Sequence, residues 1–153
     1  MPPMPTPADR PSRLSLVIHT LVVALLLLSF VSGVMLWFGP LLGQPAEELL
    51  PPKPARVWVV IHGVLYPFLC VLFGYLLCQH IRYGWELKAN RVTGALMEGV
   101  FAALILTAVG LYYGPESWRE ALVWAHRVLG LLLPVSLAAH WWTARAWVKT
   151  ISK

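Results

Sequence analysis

Four long stretches of this 153-residue chain are almost entirely apolar, and short segments richer in polar residues separate them. A helix needs about twenty apolar residues to cross the ~30 Å hydrocarbon core of a bilayer, and each stretch reaches that length. The pattern therefore predicts an all-α fold, an integral membrane four-helix bundle. The predicted spans are Leu14–Phe38, Val57–His80, Val92–Tyr113 and Leu122–Trp147.

Composition supports a membrane protein with a single domain. The chain is 58% hydrophobic and 12% charged, whereas about a quarter of the residues in a soluble protein are charged. Little lies outside the four stretches, so residues 14–153 are predicted to form one domain. Residues 1–13 contain five prolines and are predicted to be a disordered leader. The first apolar run is too long for a signal-peptide core, and no A-x-A site follows it, so we expect it to be retained.

The distribution of basic residues predicts the orientation in the membrane. Lysine and arginine concentrate on the cytoplasmic side of membrane proteins, and here they occur before the first span, between the second and third spans, and after the fourth. The loops after the first and third spans each carry two glutamates, against Lys53 and Arg56 in the first and Arg119 in the third. Both termini and the middle loop are therefore predicted to be cytoplasmic. This bias accounts for the net charge of +5 without a nucleic-acid partner.

Histidines within the apolar stretches are the main candidates for chemistry, because ionisable groups at membrane depth are costly. His126 and His140 are fourteen residues apart in the last span. On an α-helix this spacing is about 1400°, or roughly 40° short of four turns, and about 21 Å along the axis. Both imidazoles are therefore predicted to face one side of the helix at two depths, as ligands of two stacked haems would.

The predicted orientation sorts four histidines into two pairs of similar depth. His19 and His140 are predicted near the cytoplasmic side, and His62 and His126 near the outer side. Bis-histidine ligation of haem needs two imidazoles at one level on different helices, so each pair is a predicted ligand pair. The alternative is four separate polar residues, each hydrogen-bonded locally. Four at matched depths favour the ligand interpretation, because such residues are rare in spans.

Smaller and basic residues near the predicted outer haem add candidates. Gly33 follows His19 by fourteen residues and is predicted to face the outer haem, where a glycine leaves room for a flat macrocycle. Gly130 has a similar place in the last span. Arg56 and Arg127 lie near the outer surface, where guanidinium groups suit haem propionates. The alternatives are helix contact for the glycines and ordinary positive flanking for the arginines.

The histidine-bearing segments VIHTLVVALLLLSFVSGVML, VWVVIHGVLYP and WAHRVLGLLLPVSLAAH resemble those of the four-helix di-haem cytochromes b. That family includes the gamma subunit of formate dehydrogenase, the b-type cytochrome of nickel–iron hydrogenase and the bacterial superoxide oxidases. The resemblance covers residues 13–147. It implies the same two pairs, His62 with His126 and His19 with His140, as axial ligands of the iron in two non-covalent haem b groups.

The resemblance also implies a setting and a role. It places the chain in a bacterial inner (cytoplasmic) membrane, in contact with lipid and exchanging electrons with quinone. The redox partner would be an iron–sulfur, molybdenum or nickel–iron subunit, or a c-type cytochrome. We expect neither the fifth helix nor the long cytoplasmic tail of some family members, which leaves the particular partner open.

His80 and Glu98 are candidates for a quinone site on the cytoplasmic side. His80 follows His62 by eighteen residues, or about five turns, and so faces the same way and is an alternative to His19 as a ligand. Its distance of about 27 Å from His62 suits a quinone contact better, and a solvated helix end is a further alternative. Glu98 is predicted either to pass protons to the quinone or to pair with Arg91.

The function classes follow from these candidates. No phosphate loop, zinc-type spacing or nucleophile elbow is present, and a haem with two histidine ligands favours one-electron transfer over oxygen binding. The first hypothesis is a di-haem subunit that carries electrons between a respiratory partner and the quinone pool. The alternative is a stand-alone superoxide:quinone oxidoreductase. The short loops favour the subunit, so an independent enzyme is the less favoured of the two.

Overall fold

The computed structural model describes residues 16–38, 53–86 and 90–151, and in these residues it is helical without strands. A π-helical turn, Leu77–Ile81, continues the second helix into a short third one, and a 3₁₀ turn, Glu116–Trp118, precedes the last helix. The predicted all-α four-helix fold is confirmed. The helices are α1 Leu16–Phe38, α2 Lys53–Leu76, α3 Arg82–Glu86, α4 Arg91–Tyr113 and α5 Arg119–Ile151.

Four of these helices are long and apolar enough to cross a membrane, and they coincide with the predicted spans. The segments are Val17–Phe38, Arg56–Ile81, Arg91–Tyr113 and Glu116–Ala146. Large apolar side chains also point outward, as for Val71 at 74% and Leu106 at 70% exposure. Helices that are apolar on all sides are typical of membrane spans. The chain is therefore a multi-pass membrane protein whose outer surface contacts lipid.

The helices pack mainly as two pairs, α1 with α2 and α4 with α5. Aromatic contacts connect one pair to the other. Phe73 of α2 meets Phe101 of α4 with ring centroids 5.0 Å apart, and Trp37 of α1 meets Trp124 of α5 at 6.4 Å. Fewer contacts elsewhere between the pairs leave room between the helices for the sites described below.

Prolines, a π-helical turn and one left-handed residue mark the helices and their ends. Pro67 lies inside α2 and Pro134 inside α5, where proline removes a main-chain hydrogen bond and tends to bend a helix. The π-helical turn contains His80, and such turns are frequent at functional sites. Asn90, just before α4, has the left-handed conformation, with φ 51° and ψ 33°. The leader predicted at residues 1–13 lies outside the described residues.

Candidate paired-histidine site

His62 of α2 and His126 of α5 form the first histidine pair. Their ring centroids are 6.1 Å apart and their planes are nearly perpendicular, at 88°. Both side chains are half-buried. The structure thus brings together the two rings that the depth argument paired, while their role as haem ligands stays a prediction.

Hydroxyl groups fix the orientation of both rings in the first pair. The Nδ1 atom of His62 lies 2.9 Å from Ser32 Oγ, and that of His126 lies 2.8 Å from Thr107 Oγ1. Ser32 donates its hydroxyl hydrogen to the main-chain oxygen of Ser29 in α1, and Thr107 donates its own to a main-chain oxygen of α4. Each hydroxyl therefore accepts from a ring N–H, so both Nδ1 atoms carry a hydrogen and both Nε2 atoms have a free lone pair.

A cavity of about 640 Å³, called here the large cavity, adjoins the first pair. Sites for small molecules and cofactors in proteins typically measure about 300–1,000 Å³ and are mostly apolar. The wall of the large cavity is likewise mostly apolar and comes from all four spanning helices. Besides both histidines it includes Leu26, Phe30, Val59, Leu69, Leu104 and Leu133.

Gly33 and Gly130 both line the large cavity. A Cβ atom on Gly33 would lie 3.2 Å from Cε1 of His62, closer than ordinary contact. The glycine therefore makes room for the His62 ring, whereas the sequence predicted room for a macrocycle. A Cβ atom on Gly130 would meet nothing within 4 Å, so a side chain there has open space around it.

Arginines border the large cavity in the first turns of α5. Arg127 lines it, with its guanidinium carbon 5.3 Å from the centroid of Trp37 and 5.5 Å from that of Trp124. Arg119 also lines the cavity and forms an exposed ion pair with Glu116 at 3.5 Å. Arg56 is exposed near the start of α2, outside the cavity wall. The cavity is thus apolar with a basic border.

His80 of the π-helical turn and His140 of α5 form the second histidine pair. Their ring centroids are 6.2 Å apart and their planes meet at 83°, nearly the geometry of the first pair. The structure does not place His19 beside His140 as predicted. His19 is exposed on α1 and belongs to neither pair. His80 lies in the π-helical turn that continues α2.

His140 is held by polar residues at the start of α4. Asn90 donates from Nδ2 to the main-chain oxygen of His140 at 2.9 Å, and the same nitrogen is 3.2 Å from the ring Nδ1. Thr93 Oγ1 lies 3.3 Å from that Nδ1 and donates to Asn90 Oδ1 at 2.7 Å. Sequence reasoning missed this cluster. The only local signal was an asparagine followed three residues later by a threonine at the start of a span.

A second, small cavity of about 40 Å³ lies at the second pair. His80, His140, Asn90, Trp85 and Arg91 are in its wall. The two candidate quinone contacts therefore do not lie at one site. His80 lines this cavity, whereas Glu98 is half-buried on α4 and belongs to neither cavity wall. The alternative pairing of Glu98 with Arg91 is not formed, because the Arg91 guanidinium contacts Trp85.

The spacing within each pair is the spacing that two axial ligands require. Metal–imidazole bonds are about 2 Å long and the ring centre lies about 1 Å behind the nitrogen, so two rings on one metal ion have centres roughly 6 Å apart. Among the described residues no three or more histidine, cysteine or acidic side chains cluster as a metal site. Each pair therefore presents two imidazoles.

Comparison of the chain with protein-family models, with curated proteins and with solved structures finds no match. The resemblance to di-haem cytochromes b therefore rests on the histidine pattern of the sequence.

Proposed function

We propose that the protein is a membrane-spanning electron carrier with two b-type haems, one between His62 and His126 and one between His80 and His140. The observation that carries the proposal is the near-identity of the two pairs, with ring centroids 6.1 and 6.2 Å apart. Histidines that only form separate local hydrogen bonds would not be expected to give the same ring-to-ring distance at two places. Haem iron with histidine on both axial sides supplies one-electron chemistry.

The first site suits haem in shape and in polarity. Its two imidazoles lie with ring centroids 6.1 Å apart beside a mostly apolar cavity of about 640 Å³ with arginines at its border. A macrocycle needs an apolar wall, and its two carboxylates need cationic partners. Ser32 and Thr107 hold the ring Nδ1 atoms, which leaves the Nε2 atoms for the iron. Such outer hydrogen bonds orient ligating histidines in metal sites generally.

The second site has its own means of holding a ring. Asn90 donates to the main-chain oxygen of His140, and Thr93, which gives its own hydrogen to Asn90 Oδ1, can accept from the ring Nδ1 at 3.3 Å. Gly94 of α4 lies beside this ring, and a Cβ atom on it would be in ordinary contact with His140, 3.6 Å from Cε1. Gly33 lies closer to His62 in the first site, at 3.2 Å, so each pair has one ring beside a glycine of a neighbouring helix, but only Gly33 is tight.

The position of the two pairs supports electron transfer across the membrane. His126 and His140 are fourteen residues apart on one spanning helix, or about 21 Å along its axis. We propose that the protein connects a redox partner subunit with the quinone pool of a bacterial cytoplasmic membrane, with both termini cytoplasmic as the basic residues predict. With His80 assigned as a ligand, the quinone hypothesis rests on Glu98 alone.

Single histidine substitutions followed by redox titration test the ligand assignment. Replacing any of the four paired histidines by alanine should remove one haem midpoint and leave the other. His19→Ala is the matched control, because His19 is also a histidine of a spanning helix but lies outside both pairs. It should keep both haems. Loss of a haem in His19→Ala together with its retention in His80→Ala would overturn the second pair.

A further inference from the structure

Arg145 of α5 is stacked on a tryptophan at the surface of the bundle. Its guanidinium carbon lies 3.5 Å from the ring centroid of Trp141, one turn earlier on the same helix. A cation over the face of an indole is attracted by the negative charge of that face. Both residues are exposed, Trp141 at 54%. The stack therefore holds one face of the guanidinium and leaves its N–H groups at the surface.

This stack differs from the other contacts of arginine with tryptophan. Among the described residues, two further arginines lie over tryptophan, and each of them lines a cavity. Arg91 lies over Trp85 in the wall of the small cavity, and Arg127 lies over two tryptophans in the wall of the large cavity. Arg145 is in neither wall. Its guanidinium is therefore presented to the surroundings of the bundle.

The stack lies where α5 reaches the edge of the membrane. The apolar span that contains α5 is Glu116–Ala146, so Arg145 is its last residue but one. Trp142, three residues before Arg145, is 77% exposed. Tryptophan is enriched at the level of the lipid headgroups, because its ring system is largely apolar and its N–H is polar. Position and residue type therefore place this surface among the headgroups.

The charge at this end of α5 is uniformly positive. The sequence contains no aspartate or glutamate after Glu120, whereas Lys149 follows Arg145 by four residues within the same helix. Residues four apart lie on one side of a helix. This end of α5 thus has no carboxylate of its own to neutralise the guanidinium, and an anionic group from outside the chain complements it.

We propose that Arg145, Trp141 and Trp142, called here the Arg145 surface, bind the phosphate group of an anionic phospholipid. Guanidinium can donate two parallel hydrogen bonds to phosphate oxygens, and such charge-assisted bonds are stronger than neutral ones. The exposed indoles contact the glycerol and the upper part of the acyl chains. Anionic lipid is attracted to a basic surface, whereas a zwitterionic headgroup brings an ammonium group with its phosphate. This lipid site goes beyond the proposed function and does not depend on haem.

Titration of the full-length protein in detergent with phosphatidylglycerol, followed by native mass spectrometry, tests the Arg145 surface. Phosphatidylcholine with identical acyl chains is titrated in parallel. The first phosphatidylglycerol should bind at least about tenfold more tightly than phosphatidylcholine, and Arg145→Leu should remove most of this difference, as for loss of a charge-assisted pair. Arg145→Lys, which keeps the charge without the planar fork, should retain part of it. Trp141→Leu, which removes the stack and keeps the charge, should weaken phosphatidylglycerol binding several-fold.

Arg56→Leu is the matched control, because it removes an exposed arginine from the opposite end of the bundle, where the span Arg56–Ile81 begins. It should leave the preference for phosphatidylglycerol unchanged. Equal loss in Arg56→Leu and Arg145→Leu would indicate a general effect of charge and overturn the proposal. Equal affinity of the wild type for both lipids, or unchanged affinity in both Arg145→Leu and Trp141→Leu, would overturn it as well. Displacement of the bound lipid by inorganic phosphate would assign the surface to free phosphate instead.

Discussion

At the scale of single residues, the partner of each imidazole Nδ1 determines which nitrogen is available for a ligand. In the first pair, Ser32 and Thr107 give their hydrogens to main-chain carbonyls and accept from the rings. A ring that donates from Nδ1 presents a lone pair at Nε2. These small hydroxyl residues are as much part of the proposed site as the histidines that they orient.

Thr107→Val removes the acceptor for His126 and keeps the side-chain shape. We expect the affinity of the first site for haem to fall about tenfold, as for other residues that orient metal ligands. The midpoint potential of that haem should shift to a more positive value, because a less basic imidazole stabilises ferric iron less. Ser136→Ala is the control, since Ser136 is also a buried helix hydroxyl but donates to Leu133 and contacts no histidine. Identical midpoints in wild type and Thr107→Val would contradict the proposed orientation.

Gly33→Ala places a methyl group against the His62 ring, 3.2 Å from Cε1. The ring must move by a few tenths of an ångström or more, so the first site should lose affinity for haem while the second is unchanged. Haem content and the two midpoints measure this. Gly74→Ala is matched to it, because a Cβ atom on Gly74 meets nothing within 4 Å. Full retention of the first haem in Gly33→Ala would show that the His62 position is not tightly defined.

At the scale of the elements, α5 carries one histidine of each pair and stays helical from His126 to His140 across Pro134. Inserting one alanine between Leu137 and Ala138 rotates all later residues by about 100°, so His140 should turn away from His80. The second haem should be lost and the first kept. The same insertion between Ala144 and Arg145, beyond His140, should leave both. Loss of both haems in the first insertion alone would contradict independent sites.

The second helix shows which features the sequence predicts and which it does not. The span predicted at Val57–His80 agrees with the observed span Arg56–Ile81, because an apolar run of that length has one stable form in a bilayer. The π-helical turn around His80 was not predicted, since hydrophobic periodicity does not reveal one extra residue in a turn. His80, which lies in that turn, is the histidine whose ring lies beside His140.

At the scale of the whole molecule, pairing by depth gives one of the two observed pairs. The rings of His62 and His126 lie together as predicted, whereas the ring beside His140 is that of His80 and not of His19. The contacts of Asn90 with His140 join residues 50 positions apart, and no local pattern specifies them. Arg91 likewise contacts Trp85 rather than Glu98, because the short helix α3 brings the indole beside it.

If both histidine pairs ligate haem iron, one chain binds two haems. The most direct measurement is the ratio of haem to polypeptide in the purified full-length protein, by the pyridine haemochrome assay and amino-acid analysis. We expect about two non-covalent haems per chain, because each haem needs two axial histidines and four histidines are paired. A ratio of about one, or no haem at all, would contradict it.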